Sequence, residues 1–198
     1  GKNPNFSLRD YDFKGKKILD IGFGDGRDLV LFKDLGFITY GIEVDEDVVE
    51  HSSIKFKKLG LDIKLSKGFN DNTGFQENEF EFVYALASLM YLRNKEININ
   101  DVISHSYNIL KKNGYFIGSF TKAESHVVKE STQLDFNKII MKDPFYKQRE
   151  GQIYYLHHSK EEVIKDLEFA GFKKVIVSEY SADWFGTQEN HYLFVARK

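Results

Sequence analysis

The chain has 198 residues, with 28 Lys+Arg against 30 Asp+Glu, no cysteine, two prolines and fifteen glycines. That length suits one domain burying roughly 70% of the surface of its unfolded chain, and 18 Phe with 11 Tyr argue against disorder. A net charge of −2 supplies no global drive toward nucleic acid or an anionic membrane, and zero cysteine excludes disulfides, thiolate metal sites and a cysteine nucleophile.

Strand and helix signals alternate along the chain. Lys16 to Ile21 is β-prone and stops at Gly22. A helix is predicted over 26–35, with Leu29, Phe32 and Leu35 at helical spacing and Gly36 as its stop. The strand from Phe37 to Glu43 runs into the acidic cluster Glu43-Val44-Asp45-Glu46-Asp47, which suits the positive end of a helix dipole. Val48, Val49, Ser52, Phe56 and Leu59 make one face of that helix, and Gly60 ends it. A third strand is expected over 61–66. Phe80 to Ala87, almost continuously apolar, has the pattern of a central parallel strand buried on both faces. No apolar run reaches the ~18 to 20 residues that a membrane-spanning helix needs.

A helix follows over 97–111, and Asn113-Gly114 turns the chain into a strand from Tyr115 to Phe120. Residues 122–152 are irregular in pattern and rich in both charges, which reads as a substrate-cap insertion. Ile153 to His157 is a short strand. Ser159-Lys160-Glu161-Glu162 is a capping box opening a helix that Gly171 ends. Lys174 to Tyr180 and His191 to Ala196 close the chain as an antiparallel hairpin. The whole reads as one α/β domain over 1–198, doubly wound around a mostly parallel sheet.

The strongest chemical signal is Asp20-Ile21-Gly22-Phe23-Gly24-Asp25-Gly26, placed between a predicted strand and a predicted helix. Glycines there allow positive φ and close approach of backbone to a ligand. Glu43, 21 positions after Gly22, ends the next strand, where a carboxylate can accept both hydroxyls of a ribose. Dinucleotide sites read G-x-G-x-x-G, whereas these glycines fall as G-x-G-x-G, with Asp20 just before them and Asp25 inside the turn. Those charges repel a pyrophosphate and welcome an ammonium group, so a ligand with adenosine at one end and an amino acid at the other fits better than NAD.

Ile18 to Gly26 resembles the first motif of the class I S-adenosylmethionine-dependent methyltransferases, and the resemblance spans nearly the whole chain. Phe80 to Leu92 is similar to that family's fourth strand and following turn. Leu110-Lys111-Lys112-Asn113-Gly114-Tyr115 is similar to the turn before its fifth strand, without the usual proline, and the opening Asn3-Pro4-Asn5 with Leu8 resembles the lead-in of small-molecule members. The resemblance implies a seven-stranded Rossmann-like methyltransferase fold and S-adenosyl-L-methionine as cofactor. It assigns Asp20, Gly22, Phe23, Gly24 and Gly26 to the methionine end, Glu43 with Val44 to the ribose, and Ala85 to the end of the fourth strand. Many members carry Gly-Asp after the third strand, where the Asp reads the adenine amino group. Here that place is Gly68-Phe69-Asn70-Asp71, so Phe69 is expected to flank the base, with Asn70 or Asp71 as the polar contact.

Methyl transfer from a sulfonium is an in-line displacement, so alignment of acceptor, methyl and sulfur is the main requirement. The place after the fourth strand reads Ala87-Ser88-Leu89-Met90-Tyr91, not the Asn/Asp-Pro-Pro motif of amino-methylating nucleic-acid enzymes and not the Asp of cation-dependent ones. The expectation is a metal-independent, cytoplasmic enzyme that methylates O or N of a small molecule, with no nucleic-acid or membrane partner. RNA or protein methylation, and a non-catalytic cofactor-binding subunit, are the alternatives. Catalytic candidates are His157 and His126 as a base, with His158 beside them, and Tyr91 to orient the acceptor or face the sulfonium. Trp184 is a weaker acceptor-pocket candidate.

Overall fold

The structure is a computed structural model, and it describes residues 11–128, 131–142 and 149–198. The opening Asn3 to Leu8 lies outside the described residues.

β1 (Lys17–Ile21), β2 (Ile38–Glu43), β3 (Ile63–Lys67), β4 (Phe80–Ala85), β6 (Leu110–Thr121), β10 (Lys173–Trp184) and β11 (Thr187–Arg197) form one sheet. Its order is β10-β11-β6-β4-β1-β2-β3. The pairs from β6 to β3 are parallel, and β11 is antiparallel to both β6 and β10. This is the expected seven-stranded, mostly parallel sheet. Helices α1 (Arg27–Asp34), α2 (Glu46–Lys58), α3 (Ile99–Ile109) and α4 (Lys160–Phe169) cover its two faces. Alternation along β1 explains how: Leu19 and Ile21 pack with Val102 and Ile103 of α3 and Val163 and Leu167 of α4, whereas Ile18 packs with Phe32 of α1, Phe37 and Phe82. Ile18 to Ile21 are all buried, as a central strand requires.

A second, smaller antiparallel sheet has the order β5-β9-β8-β7, from β5 (Tyr91–Leu92), β7 (Ser131–Gln133), β8 (Lys138–Met141) and β9 (Ile153–Tyr155). The sequence pattern reads 122–152 as irregular, but it contributes β7 and β8 to this sheet. Strands of three and four residues are too short to show a period. Ile139 and Met141 bury with Met90, Tyr154 and Leu156 in a core of their own. Lys138, only 9% exposed, reaches across with its ammonium to Lys95 O, Ile97 O and Asn98 Oδ1 at 2.9–3.1 Å.

Three boundaries differ for physical reasons. β4 ends at Ala85 because Ala87 takes a left-handed φ of 53°. α3 ends at Ile109, where Leu110 turns extended and starts β6, so Asn113 and Gly114 form an irregularity inside that strand. β10 and β11 run past the predicted hairpin because their outer ends are tied by polar bonds rather than burial: Gln188 Nε2 donates to Asp183 Oδ2, and Ser125 Oγ donates to Asn190 O.

Candidate active site

The carboxyl ends of β1, β2, β3 and β4 open onto a cavity of about 540 Å³, closed on the opposite side by Tyr91 to Arg93 and residues 149–153. Position at the strand ends is where a doubly wound sheet binds its ligand.

The three glycines of the first turn serve three ends. A Cβ on Gly22 would lie 2.5 Å from Ser88 Cβ, and one on Gly26 2.5 Å from the Phe56 ring, so both are demanded by packing as well as by φ of 75°. A Cβ on Gly24 would meet nothing within 4 Å, although its φ is 55°. Gly24 is thus the bare backbone that faces the cavity, and Gly26 does not line it. Phe23 does not line it either. Its side chain is 5% exposed and buried with Leu29 and Phe56, as a large apolar group flanked by flexible residues is drawn to the core. Ala85 is fully buried in β4, away from the cavity wall.

Glu43 lines the cavity with its carboxylate held in place: Oε2 accepts from Gly24 N at 3.1 Å and Oε1 from Val44 N at 2.9 Å. Two amide donors fix its rotamer and leave lone pairs for hydroxyl donors. Asp20 sits behind the turn, 3% exposed and off the cavity wall. Burial, then the neighbouring carboxylates of Asp28 and Glu43, push its carboxyl well above the usual range. A buried acid held back from ionising by like charge is a place where a bound cation is favoured.

Phe69 and Asn70 both line the cavity after β3. Asn70 is 8% exposed and its Nδ2 donates to Leu89 O at 3.1 Å and Tyr91 O at 2.9 Å. It therefore pins the loop after β4 whatever else it touches. Asp71 lies off the cavity and pairs through Oδ2 with Arg93 at 2.7 Å. Ser88, given no role by the sequence reading, also belongs to the site: it lines the cavity and its hydroxyl donates to Ile21 O at 2.5 Å. Only the contact with Gly22 gives it away, and that contact has no local pattern.

Of the catalytic candidates, Tyr91 lines the cavity, edge-on to Tyr154 and beneath the Arg149 guanidinium at 4.5 Å. The histidines do not. His157 is fully buried, with Nε2 3.0 Å from Asp166 Oδ2 and its ring 4.4 Å from that of Phe120. His126 Nδ1 bonds Gln188 O at 3.0 Å, and His158 Nε2 bonds Phe136 O at 2.8 Å. Each is occupied in joining the smaller sheet or the hairpin to its surroundings. Trp184 ends β10, and its side chain lies outside what the structure describes. The cap adds Arg149, Glu150 and Gln152 to the lining, none of them singled out by sequence.

A cradle of bare backbone at Gly24, a fixed carboxylate at the end of the neighbouring strand and a cation-favouring acid behind the turn fit a ligand with ribose at its middle and a cationic amino acid at one end. The family model described as a methyltransferase domain matches residues 19–118, and the chain belongs to that family of class I S-adenosylmethionine-dependent methyltransferases. It is accordingly a methyltransferase with S-adenosylmethionine as its cofactor.

Solved structures share the fold. One is a S-adenosylmethionine-dependent methyltransferase of Methanosarcina mazei, at 18% identity, with 93% of each chain covered and a TM-score of 0.72. Another, from Thermotoga maritima, is described as a possible histamine N-methyltransferase, at 21% identity, covering 92% of this chain and 82% of that one, TM-score 0.62. A third is the 1,6-didemethyltoxoflavin-N1-methyltransferase of Burkholderia thailandensis, solved with its acceptor and S-adenosylhomocysteine, at 14% identity, 93% and 72% coverage, TM-score 0.67. A search of the curated proteins finds no match.

Proposed function

We propose that the chain transfers the methyl group of S-adenosylmethionine to O or N of a small molecule, in the cytoplasm and without a metal. The observation that carries this is the cavity itself. Its volume of about 540 Å³ is bounded by the glycine turn and Glu43 on one side and by Tyr91 and residues 149–153 on the other, so donor and acceptor share a confined space. The solved relatives named above that act on toxoflavin precursors, or are thought to act on histamine, are consistent with acceptors of that size.

In this reading Gly22 and Gly24 present backbone to the methionine end, Asp20 favours its cationic charge from behind, and Glu43 accepts the ribose hydroxyls beside Val44. Phe69 and Asn70 border the base. When bound, the cofactor supplies an electrophilic methyl on a sulfonium. Tyr91, held by Asn70 through its backbone carbonyl, presents a ring and a hydroxyl to the acceptor side. Alignment by these fixed groups, rather than a histidine base, supplies the rate. Glu150 is the carboxylate on the acceptor side among the described lining residues, and it is the group placed to take a proton from an N–H or O–H acceptor.

The test is incubation with methyl-labelled cofactor and a library of small metabolites, reading S-adenosylhomocysteine and labelled product by mass spectrometry. Multiple turnover on a small acceptor is expected. Label appearing only in RNA or protein would overturn the reading, and binding with no turnover on any acceptor class would favour a non-catalytic subunit.

A further inference from the structure

The turn after β3 lines one end of the cavity with Gly68, Phe69 and Asn70, and it is held from behind by a side chain of another element. Phe69 N donates to Asn72 O at 3.0 Å and Asn72 N to Phe69 O at 3.1 Å, which folds the turn back on itself. Thr73 then enters the protein, only 3% exposed. Its backbone N–H donates to His105 Nε2 at 3.0 Å, and its hydroxyl lies 2.8 Å from the same nitrogen. His105 stands on α3, three residues after Val102 and four before Ile109, beside the stripe that this helix buries against the sheet. A backbone N–H can only donate, so Nε2 is the acceptor and the ring proton sits on Nδ1. The hydroxyl fits the same assignment, since it accepts from Phe75 N at 3.4 Å and is left to donate to Nε2. A proton on Nε2 would set two donors face to face and leave the buried Thr73 N–H without a partner.

We infer that His105 is a positioning residue for cofactor binding: in its neutral form it fixes the turn at this end of the cavity, and proton uptake on Nε2 releases that turn. The inference rests on the reading above, in which this end holds part of the cofactor. Asp71 is the charge that faces His105 from the turn. Its Oδ2 holds Arg93 at 2.7 Å, and its Oδ1 is buried with no hydrogen-bond partner among the described residues. On α3 itself, Asp101 lies one turn before His105 and is tied to Asn98 N at 2.8 Å. Burial lowers the pKa of His105, and the opposing pull of Asp71 does not offset it, so the ring is neutral at pH 7. A ligand that needs the ordered turn binds the neutral form better. Affinity is therefore full above the usual histidine value of about 6.5 and falls as pH drops through the lower value of the free protein.

The experiment is calorimetric titration with S-adenosylhomocysteine between about pH 7.5 and about pH 5, on wild type, His105→Gln and His105→Ala. Glutamine can place an amide oxygen where Nε2 stood, and it does not titrate. At the upper pH the Gln variant is expected to bind within about threefold of wild type. The Ala variant, its fold checked by thermal melting, should bind about tenfold more weakly, the scale of one buried N–H left unpaired. On acidification wild type should lose at least about fivefold more affinity than the Gln variant. Asp20 titrates alike in both, so its effect cancels in that difference. The His105 ring, followed by NMR, should show a lower pKa with S-adenosylhomocysteine bound than without it. Superimposable pH profiles for wild type and the Gln variant, or a ring pKa that the ligand leaves unchanged, overturn the inference. So does a Gln variant as weak as the Ala variant, because the shape of the ring and not its acceptor then holds the turn. If folded wild-type protein binds no S-adenosylhomocysteine at any pH, the assignment of the cofactor site falls, and the role of His105 falls with it.

Discussion

The wall of the cavity built on β1, β2 and β3 closes its turns with backbone bonds, whereas the wall built on β5, β8 and β9, whose strands also pair through backbone, is in addition pinned to neighbouring loops by side chains. In the first, Gly22 N donates to Ile42 O, Gly26 N to Phe23 O, Gly68 N to Glu43 O and Phe69 N to Asn72 O, at 2.9–3.0 Å. In the second, Asn70 ties down the loop leading to β5, and Lys138 ties β8 to the turn before α3. Asn137 Nδ2 bonds Leu156 O at 2.9 Å, and Thr121 and Tyr154 join through their hydroxyls. A wall whose turns are closed by backbone depends on glycine at a few points and tolerates most other changes. A wall pinned by side chains can be released by one substitution at each tie. The donor side is thus the constant part of the site, and the acceptor side the part that substitution can reshape.

The largest effect is expected from Gly22→Ala, which strikes the first wall where it meets the loop of the second. The new Cβ falls 2.5 Å from Ser88 and is forced into φ of 75°. Overpacking and left-handed strain together should cost about 3 kcal/mol of stability and abolish measurable cofactor binding. Gly24→Ala is the control, since its Cβ meets nothing. Strain alone should cost about 1 kcal/mol, read by denaturant melts. Equal losses in the two would mean that Ser88 yields easily.

Lys138→Ala removes three hydrogen bonds from a buried ammonium and should destabilise by about 2 to 3 kcal/mol. S-adenosylhomocysteine affinity, measured by calorimetry, is expected to stay within threefold of wild type. A large fall would mean that the two walls are not separable. Glu43→Ala has the reverse signature: cofactor binding weakened by about 1.5 to 3 kcal/mol, the worth of hydrogen bonds to a charged acceptor, with a nearly unchanged melting temperature.

Asp20→Asn gives the smallest and most diagnostic change. Because burial and like charge raise the folded-state pKa of Asp20, the native state holds its proton more tightly than the unfolded chain does. Its contribution is neutral below the unfolded value of about 4 and turns destabilising as pH rises past that toward the folded value. The Asn variant should therefore melt higher than wild type at pH 8 and match it near pH 4. By the same linkage, binding a cationic cofactor should release a proton from Asp20. Titration in buffers of different ionisation enthalpy should show that release in the wild type and not in the variant.

What could be read beforehand divides along the same line. β1, the glycine turn, β2 and Glu43 announce themselves because an apolar strand, a turn and a carboxylate follow one another within about thirty residues. The smaller sheet does not, because Ile139 and Met141 bury against Met90, Tyr154 and Leu156, more than ten residues away, and its strands are too short for a period to register. Side-chain duties are harder still. His157 and His126 have the chemistry of a base, but only tertiary structure shows them facing Asp166 and Gln188. Phe23 sits inside the motif, yet its ring goes to the core while its neighbours face the ligand. Ser88 carries no motif at all, and its part depends on a glycine 66 positions earlier.

The order of the sheet has a consequence for how the chain is made. β11 lies between β6 and β10, although it is synthesised after both. As the polypeptide grows, β6 therefore carries an open hydrogen-bonding edge from residue 121 until residues 187–197 emerge, and β10 has no neighbour to join. Ribosome-bound chains ending before Thr187 should expose that edge to other strands and depend on chaperones. Those that include β11 should close the sheet in one step.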